Sequence, residues 1–214
     1  MSNRIEVTND LRPAYYDDFH CLAAGCRYSC CKGSWQVAFS KKDYLVLKHL
    51  KGGGEINQRL ERALRRVRKS PQSDSKYGEF DMSGGGCPLL REDRLCGLQV
   101  EKGPEVLPEV CRACPRARFY HASGYLERSL TPACEGVLEL LWNLPEGVDF
   151  RSDPLPREER RVMTFQENQP LAAFFPEVRE WCVDMLQNRR FPLAKRILLM
   201  GIALKELADG EEDV

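Results

Sequence analysis

Apolar and polar positions along this chain change period several times, and the changes divide it into segments. Trp35, Val37 and Phe39 alternate with polar neighbours and read as a short strand; Ser40 then has the character of a helix N-cap, predicting a helix to about residue 51. Gly52, Gly53 and Gly54 end it. From Glu55 a second helix is predicted, with Ile56, Leu60, Ala63, Leu64 and Val67 at helical spacing. Residues 70–78 read as a polar loop, whereas Phe80 with Met82, residues 95–100 and residues 125–130 read as short strands. After Pro132 the period is helical again, with Val137, Leu138, Leu141 and Trp142 on one face. The proline-rich and charged stretch 145–156 reads as a linker. Beyond it, Phe174, Phe175, Val178, Trp181, Cys182, Met185 and Leu186 form one apolar stripe, and residues 197–207 a further, largely buried helix. The pattern predicts an α+β protein, mostly helical. An irregular cysteine-rich lobe with short strands (1–144) is followed by an all-helical lobe (157–214).

Composition narrows the partners. The 214 residues contain 32 Lys plus Arg and 32 Asp plus Glu, a formal net charge of zero, so nothing global favours nucleic acid or an acidic membrane. One local exception is the second helix, where Arg59, Arg62, Arg65, Arg66, Arg68 and Lys69 make a basic face, read here as solvated. Residues 1–10 are polar and mixed in charge, unlike a secretory signal, and the best apolar stretch, 197–204, is far shorter than the roughly 20 residues of a spanning helix. The expectation is a cytoplasmic protein without a membrane span.

That compartment changes the meaning of the ten cysteines. Eight fall in two groups: Cys21, Cys26, Cys30 and Cys31 lie within eleven residues, and Cys87, Cys96, Cys111 and Cys134 are spread further along the chain. In a reducing compartment such a set points to bound metal rather than disulfides. Gly25 and Gly33 bracket the first group and let the backbone turn sharply enough for thiolates to converge. Four thiolates suit zinc or an iron-sulfur cluster, in two sites or one shared site. The ferredoxin spacing is absent, and the C-x3-C-x2-C run of radical S-adenosylmethionine enzymes fails at Gly33. Adjacent side chains at Cys30 and Cys31 diverge, so each can serve a different site. Cys111 and Cys114 have C-x2-C spacing without the βαβ setting of a thioredoxin motif. Cys182 belongs to the apolar stripe and reads as a packed thiol.

Other chemistry is sparse. His20, beside Cys21, is a candidate ligand or a surface imidazole; His49 sits on a predicted helix, and His121 stands apart. Tyr15, Tyr16, Asp17 and Asp18 are polar groups beside the first cysteine group, a candidate orienting set or a plain loop with surface carboxylates. Neither glycine run, 52–54 or 84–86, makes a dinucleotide fingerprint. Catalytic residues are not assignable.

The run FHCLAAGCRYSCCKGSW from Phe19, with CPLL from Cys87, LCGLQ from Leu95, VCRACPR from Val110 and LTPAC from Leu130, resembles the bacterial flagellin lysine-N-methylases and the related zinc- or iron-chelating cysteine-rich proteins. The likeness covers residues 13–140, and PLAKRILLMG from Pro192 extends it weakly. It implies methyl transfer from S-adenosylmethionine to flagellin lysines, in an enzyme that depends on a [4Fe-4S] cluster held by Cys21, Cys26, Cys30, Cys31, Cys87, Cys96, Cys111 and Cys134. Zinc is the alternative metal. The rival functions are a chelating domain without catalysis and an electron-transfer or redox module. Two departures from the family pattern are Cys114, where an aromatic residue is usual, and Ser34 inserted between Gly33 and Trp35.

Overall fold

The computed structural model describes residues 2–32, 36–50, 52–68, 74–145, 147–166 and 175–210. Readings that rest on Gly33, Ser34, Trp35, Lys51, Lys69, Ser70 or Phe174 lie outside these residues. The chain is α+β and divides into two compact units, each discontinuous in sequence: Met1–Arg12, Phe119–Glu127 and Asp149–Val214 form the first, Pro13–Arg118 and Arg128–Val148 the second. The chain crosses between the units at residues 12–13, 118–119, 127–128 and 148–149. Nine of the ten cysteines lie in the second unit, and Cys182 in the first.

In the second unit β3 (Ala38–Phe39) leads into α1 (Lys41–Lys48). Ser40 caps α1 as expected: its hydroxyl accepts from the Asp43 N–H at 3.1 Å and donates to the Asp43 carboxylate at 2.8 Å. Next, α2 (Glu55–Ala63) buries Ile56, Leu60 and Ala63, spaced so that all three fall on one face. The expected continuation through Leu64 and Val67 does not form, because Leu64 and Arg65 pair instead with Phe80 and Glu79. They belong to β4 (Leu64–Arg66), which with β3 flanks β5 (Gly78–Phe80) in an antiparallel sheet. Only glycine fits at Gly78, since a Cβ would sit 2.6 Å from the Tyr44 ring and 2.7 Å from the Phe39 ring.

Residues 95–100 also depart from expectation, forming α3 (Gly97–Lys102) instead of a strand. The alternation at Cys96, Leu98 and Val100 misleads, because Leu98 is fully buried while Val100 is half exposed, and the Val100 N–H closes a helical turn on the Cys96 carbonyl. A short α4 (Glu109–Ala113) and α5 (Glu135–Trp142) complete this unit. Its main core joins Val37, Phe39, Leu47, Ile56, Leu60, Phe80, Leu89 and Leu98, with Cys87, Cys96 and Cys111 packed against it. A second cluster sets Tyr16, Phe19, Leu130 and Val137 together, with Cys134 at its edge.

The first unit corrects the expectation of an all-helical second lobe. Residues 145–156 contain β8 (Phe150–Pro154), and β9 (Arg161–Gln166) pairs antiparallel with β1 (Ser2–Val7). No local signal marks these strands, because their partners are distant in sequence. A four-stranded sheet runs in the order β6 (Arg116–Tyr120), β7 (Tyr125–Leu130), β2 (Asn9–Pro13), β8, with β2 and β7 parallel. The buried Asp10 carboxylate is held by the Arg12 guanidinium at 2.8 Å and accepts from the Asp153 N–H.

Helices α6 (Phe175–Gln187) and α7 (Leu193–Asp209) come next and pack on each other. Here α7 is not the largely buried helix expected: Ile197, Leu198 and Ile202 stand about half exposed. Cys182 is likewise only half-buried. Among the described residues, no helix is long and apolar enough to cross a membrane.

Leu98, with no exposed surface, anchors α3 beneath the cysteines. Leu98→Ala is expected to cost about 3 kcal/mol of unfolding free energy, read from urea denaturation, since truncation leaves a cavity in a packed core.

Candidate metal centre

The first cysteine loop begins with a short helical turn at Ala23–Gly25, and Cys26 ends it with extended backbone. Three polar groups from elsewhere fix the rest of the loop. The Glu135 carboxylate, in the first turn of α5, accepts from the Arg27 N–H at 2.6 Å and the Tyr28 N–H at 2.9 Å, and from the Arg27 side chain and the Cys26 thiol. Arg94, itself in the left-handed region at φ 68°, donates to the Cys26 carbonyl. The Cys87 N–H donates to the Cys31 carbonyl at 2.7 Å. This last approach needs Gly86, where a Cβ would meet that carbonyl at 3.1 Å.

The second group of cysteines is carried by separate elements. Cys87 opens a turn closed by the Leu90 N–H, and Cys96 precedes α3 after a bridge with Leu90. Cys111 lies within α4 and Cys114 ends it. Cys134 precedes α5, and the Thr131 N–H, three residues earlier, donates to the Pro115 carbonyl, joining that turn to the residue after Cys114.

Side-chain interactions then draw six thiols into one neighbourhood. Cys30 is hydrogen-bonded to the thiols of Cys114 and Cys31, and Cys31 also to Cys87. Donation from Cys114, then from Cys31, holds Cys30 well below the usual thiol range. Cys87 is brought down to about 7 by the Cys31 thiol. Cys31 and Cys114 are pushed up, in each case first because they donate to Cys30. Burial, followed by the charge of Cys87, pushes Cys111 up to about 12, and burial raises Cys96. Cys26 stands to one side, raised to about 11 by burial and then by its bond to Glu135.

The eight predicted cysteines therefore do not form one set. Cys30, Cys31, Cys87, Cys96 and Cys111 come together; Cys26 and Cys134 neighbour each other at Glu135; Cys21 is exposed, its sulfur accepting from the Ala23 N–H of its own turn. Cys114, outside the predicted eight, joins the group directly, and its C-x2-C spacing from Cys111 is the signal that marks it. An all-thiol donor set suits soft, thiophilic iron or zinc. Among the described residues, however, no three His, Cys, Asp or Glu side chains are closed into a set that could hold a metal ion.

The remaining candidates fall elsewhere. Tyr16 is a core residue, with the Arg116 guanidinium over its ring, and burial raises the Tyr15 hydroxyl. His20 Nδ1 lies 2.9 Å from the Asp18 carbonyl, and His49 bonds to the Leu45 carbonyl of α1. Arg59, expected on a solvated face, instead donates through its guanidinium to the Pro88 and Leu90 carbonyls at 2.6 to 3.0 Å and holds the Cys87 turn. Glu135 and Arg94, which hold the backbone of the first cysteine loop, are positions that the sequence reading does not reach. Glu135's place directly after Cys134 is the only sequence mark it carries.

A thiol-rich α+β protein of this kind is defined by its cysteine scaffold. The chain is 30% identical over 146 residues to the lysine-N-methylase of Salmonella choleraesuis and over 138 residues to that of Salmonella typhimurium, each match covering 64% of this chain and 33% of the relative. It is also 30% identical over 141 residues to the flagellar biosynthetic protein FliU of Salmonella muenchen, covering 78% of that protein. The chain belongs to the flagellin lysine-N-methylase family. It spans about a third of the length of the two lysine-N-methylases. No family model matches it. No solved structure matches it.

Glu135 is held down to about 2, first by the Tyr28 N–H and then by Arg27, below an unfolded value of 4.5. A depressed carboxylate adds stability above its unfolded value and loses it as the pH falls towards the folded one. The stability difference between wild type and Glu135→Gln should thus be full at neutral pH and shrink between about pH 4.5 and 2, as read by denaturant titration at each pH.

Proposed function

We propose that this chain functions as an iron-sulfur-dependent protein lysine N-methyltransferase, moving a methyl group from S-adenosylmethionine to lysines of flagellin. The observation that carries this reading is the convergence of Cys30, Cys31, Cys87, Cys96, Cys111 and Cys114 in a member of this family. The three or four thiolates that would hold the cluster are drawn from those six, with Cys26 and Cys134 flanking them. When bound, such a cluster would supply Lewis-acidic iron beside the methyl donor, or a rigid staple for the lobe.

The rest falls to the protein. A lysine amine attacks a sulfonium methyl only as the free base, so the site must strip water from the ammonium and align nitrogen, carbon and sulfur. Glu135 and Arg94 hold the first cysteine loop in register by bonding its backbone, while Arg59 does the same for the turn at Cys87.

The Cys30 thiolate, lying between the donors Cys114 and Cys31, favours a redox module as the second reading. A chelating domain without catalysis is the third, with zinc suiting the same donors.

Anaerobic purification with an absorption spectrum and metal analysis separates these readings. Iron with acid-labile sulfide is expected, and Cys30→Ser or Cys87→Ser should remove most of it. A colourless, zinc-only protein overturns the cluster. Incubation with flagellin and methyl-labelled S-adenosylmethionine should place label on lysine; failure under conditions where a Salmonella lysine-N-methylase succeeds overturns the methylase reading. A reversible two-electron potential without methyl transfer would establish the redox module instead.

A further inference from the structure

Beside the thiols, an open cleft of about 650 Å³ is lined by Lys32, Arg62, Asp81, Ser83 and the glycine run before Cys87. Its volume lies in the range of small-ligand sites, about 300–1,000 Å³. Cys87, whose N–H donates to the Cys31 carbonyl, is among its lining residues.

The charges in the cleft are unequal in their engagement. Among the described residues Lys32 and Arg62 have no ion-pair partner, although both line the same cavity. Asp81, by contrast, is held in place: one oxygen accepts from the Ser83 N–H at 3.1 Å and the other pairs with Arg65 at 3.2 Å. The Ser83 side chain is a third partner of the same carboxylate. The cleft therefore offers two cations without an ion-pair partner among the described residues and one fixed anion.

Its glycine side is bare. Gly85 is in the left-handed region at φ 84°, in a turn that returns the Gly85 N–H to the Met82 carbonyl. A Cβ built on Gly84 or Gly85 would meet nothing within 4 Å. No packing demand accounts for the absence of a side chain at Gly84, where the backbone does not require glycine either. An open backbone wall is what a ligand lying along the loop needs.

From this arrangement we infer that the cleft is a binding subsite for an α-amino-acid group, the carboxylate meeting Arg62 and Lys32 and the ammonium meeting Asp81. Within the proposed methylase function, on which the assignment of the ligand rests, this is the methionyl end of S-adenosylmethionine. The basic face of α2 is thus partly a ligand surface.

The test is calorimetric titration of the full chain, purified anaerobically, with S-adenosylhomocysteine, and in parallel with adenosine, which lacks the amino-acid group. Arg62→Ala and Lys32→Ala should each weaken S-adenosylhomocysteine by about tenfold, the loss of one charge-assisted contact. Adenosine should bind all three proteins alike. Gly84→Leu, which has room at its own position, should leave the thermal melt unchanged and block S-adenosylhomocysteine. Unchanged affinity in all three variants, with wild type still methylating flagellin, overturns the subsite and leaves the methylase reading intact. Wild type that binds no S-adenosylhomocysteine and transfers no methyl group overturns both.

Discussion

Loop 21–32 carries four thiols, yet it has little with which to hold itself. Its one large aromatic, Tyr28, is 80% exposed, and Leu22 is only half covered. Hydrophobic burial therefore cannot fix this segment, and its position depends on polar bonds to backbone groups. The bond from the Cys87 N–H to the Cys31 carbonyl is the decisive one, because it sets the two thiols that link the first group to the second. Glu135 and Arg94 complete the anchoring further up the loop. Two of these three anchors come from elements with a core of their own: Cys87 packs on the main cluster, and α5, which bears Glu135, is seated by Val137. Order in the thiol loop is thus borrowed from cores the loop does not belong to.

The same division explains what the sequence reveals. Signals that are complete within one segment are legible: the Ser40 cap, the Ile56, Leu60 and Ala63 face of α2, the strand β7, and helices α5 and α6. Features requiring a distant partner are not. Strand β9 exists because β1 lies alongside it, more than 150 residues away in sequence. Leu64 is apolar at helical spacing, and only Phe80 opposite makes it a strand residue. Arg59 shows the point at the level of one side chain, since the pattern gives it a helix face while its role is set by two carbonyls some 30 residues on.

The candidate centre is legible as a composition and not as a geometry. Spacing groups Cys21 with Cys26, Cys30 and Cys31, but a local turn leaves Cys21 outside, and the end of α4 brings Cys114 in. Counting cysteines identifies a thiol site well, because few other pressures accumulate them in a chain of this kind. Which sulfur meets which depends on where α3, α4 and α5 begin and end, and those boundaries are set by packing.

The electrostatics of the thiols bear on what they are for. Burial raises Cys96 and Cys111, and negative neighbours raise them further, so the set cannot ionise together without a counter-charge. One thiolate at Cys30 is supported by two donors, and the donors Cys31 and Cys114 stay protonated. A cation among the sulfurs reverses each of these effects at once, because it stabilises every thiolate that touches it. Partly buried neighbouring thiols of this kind disfavour one another as anions. Lys32 and Arg62 in the adjoining cleft have the opposite sign and stand outside the thiol group. The lobe thus sets thiols that disfavour one another's ionisation beside a cleft that carries two cationic side chains.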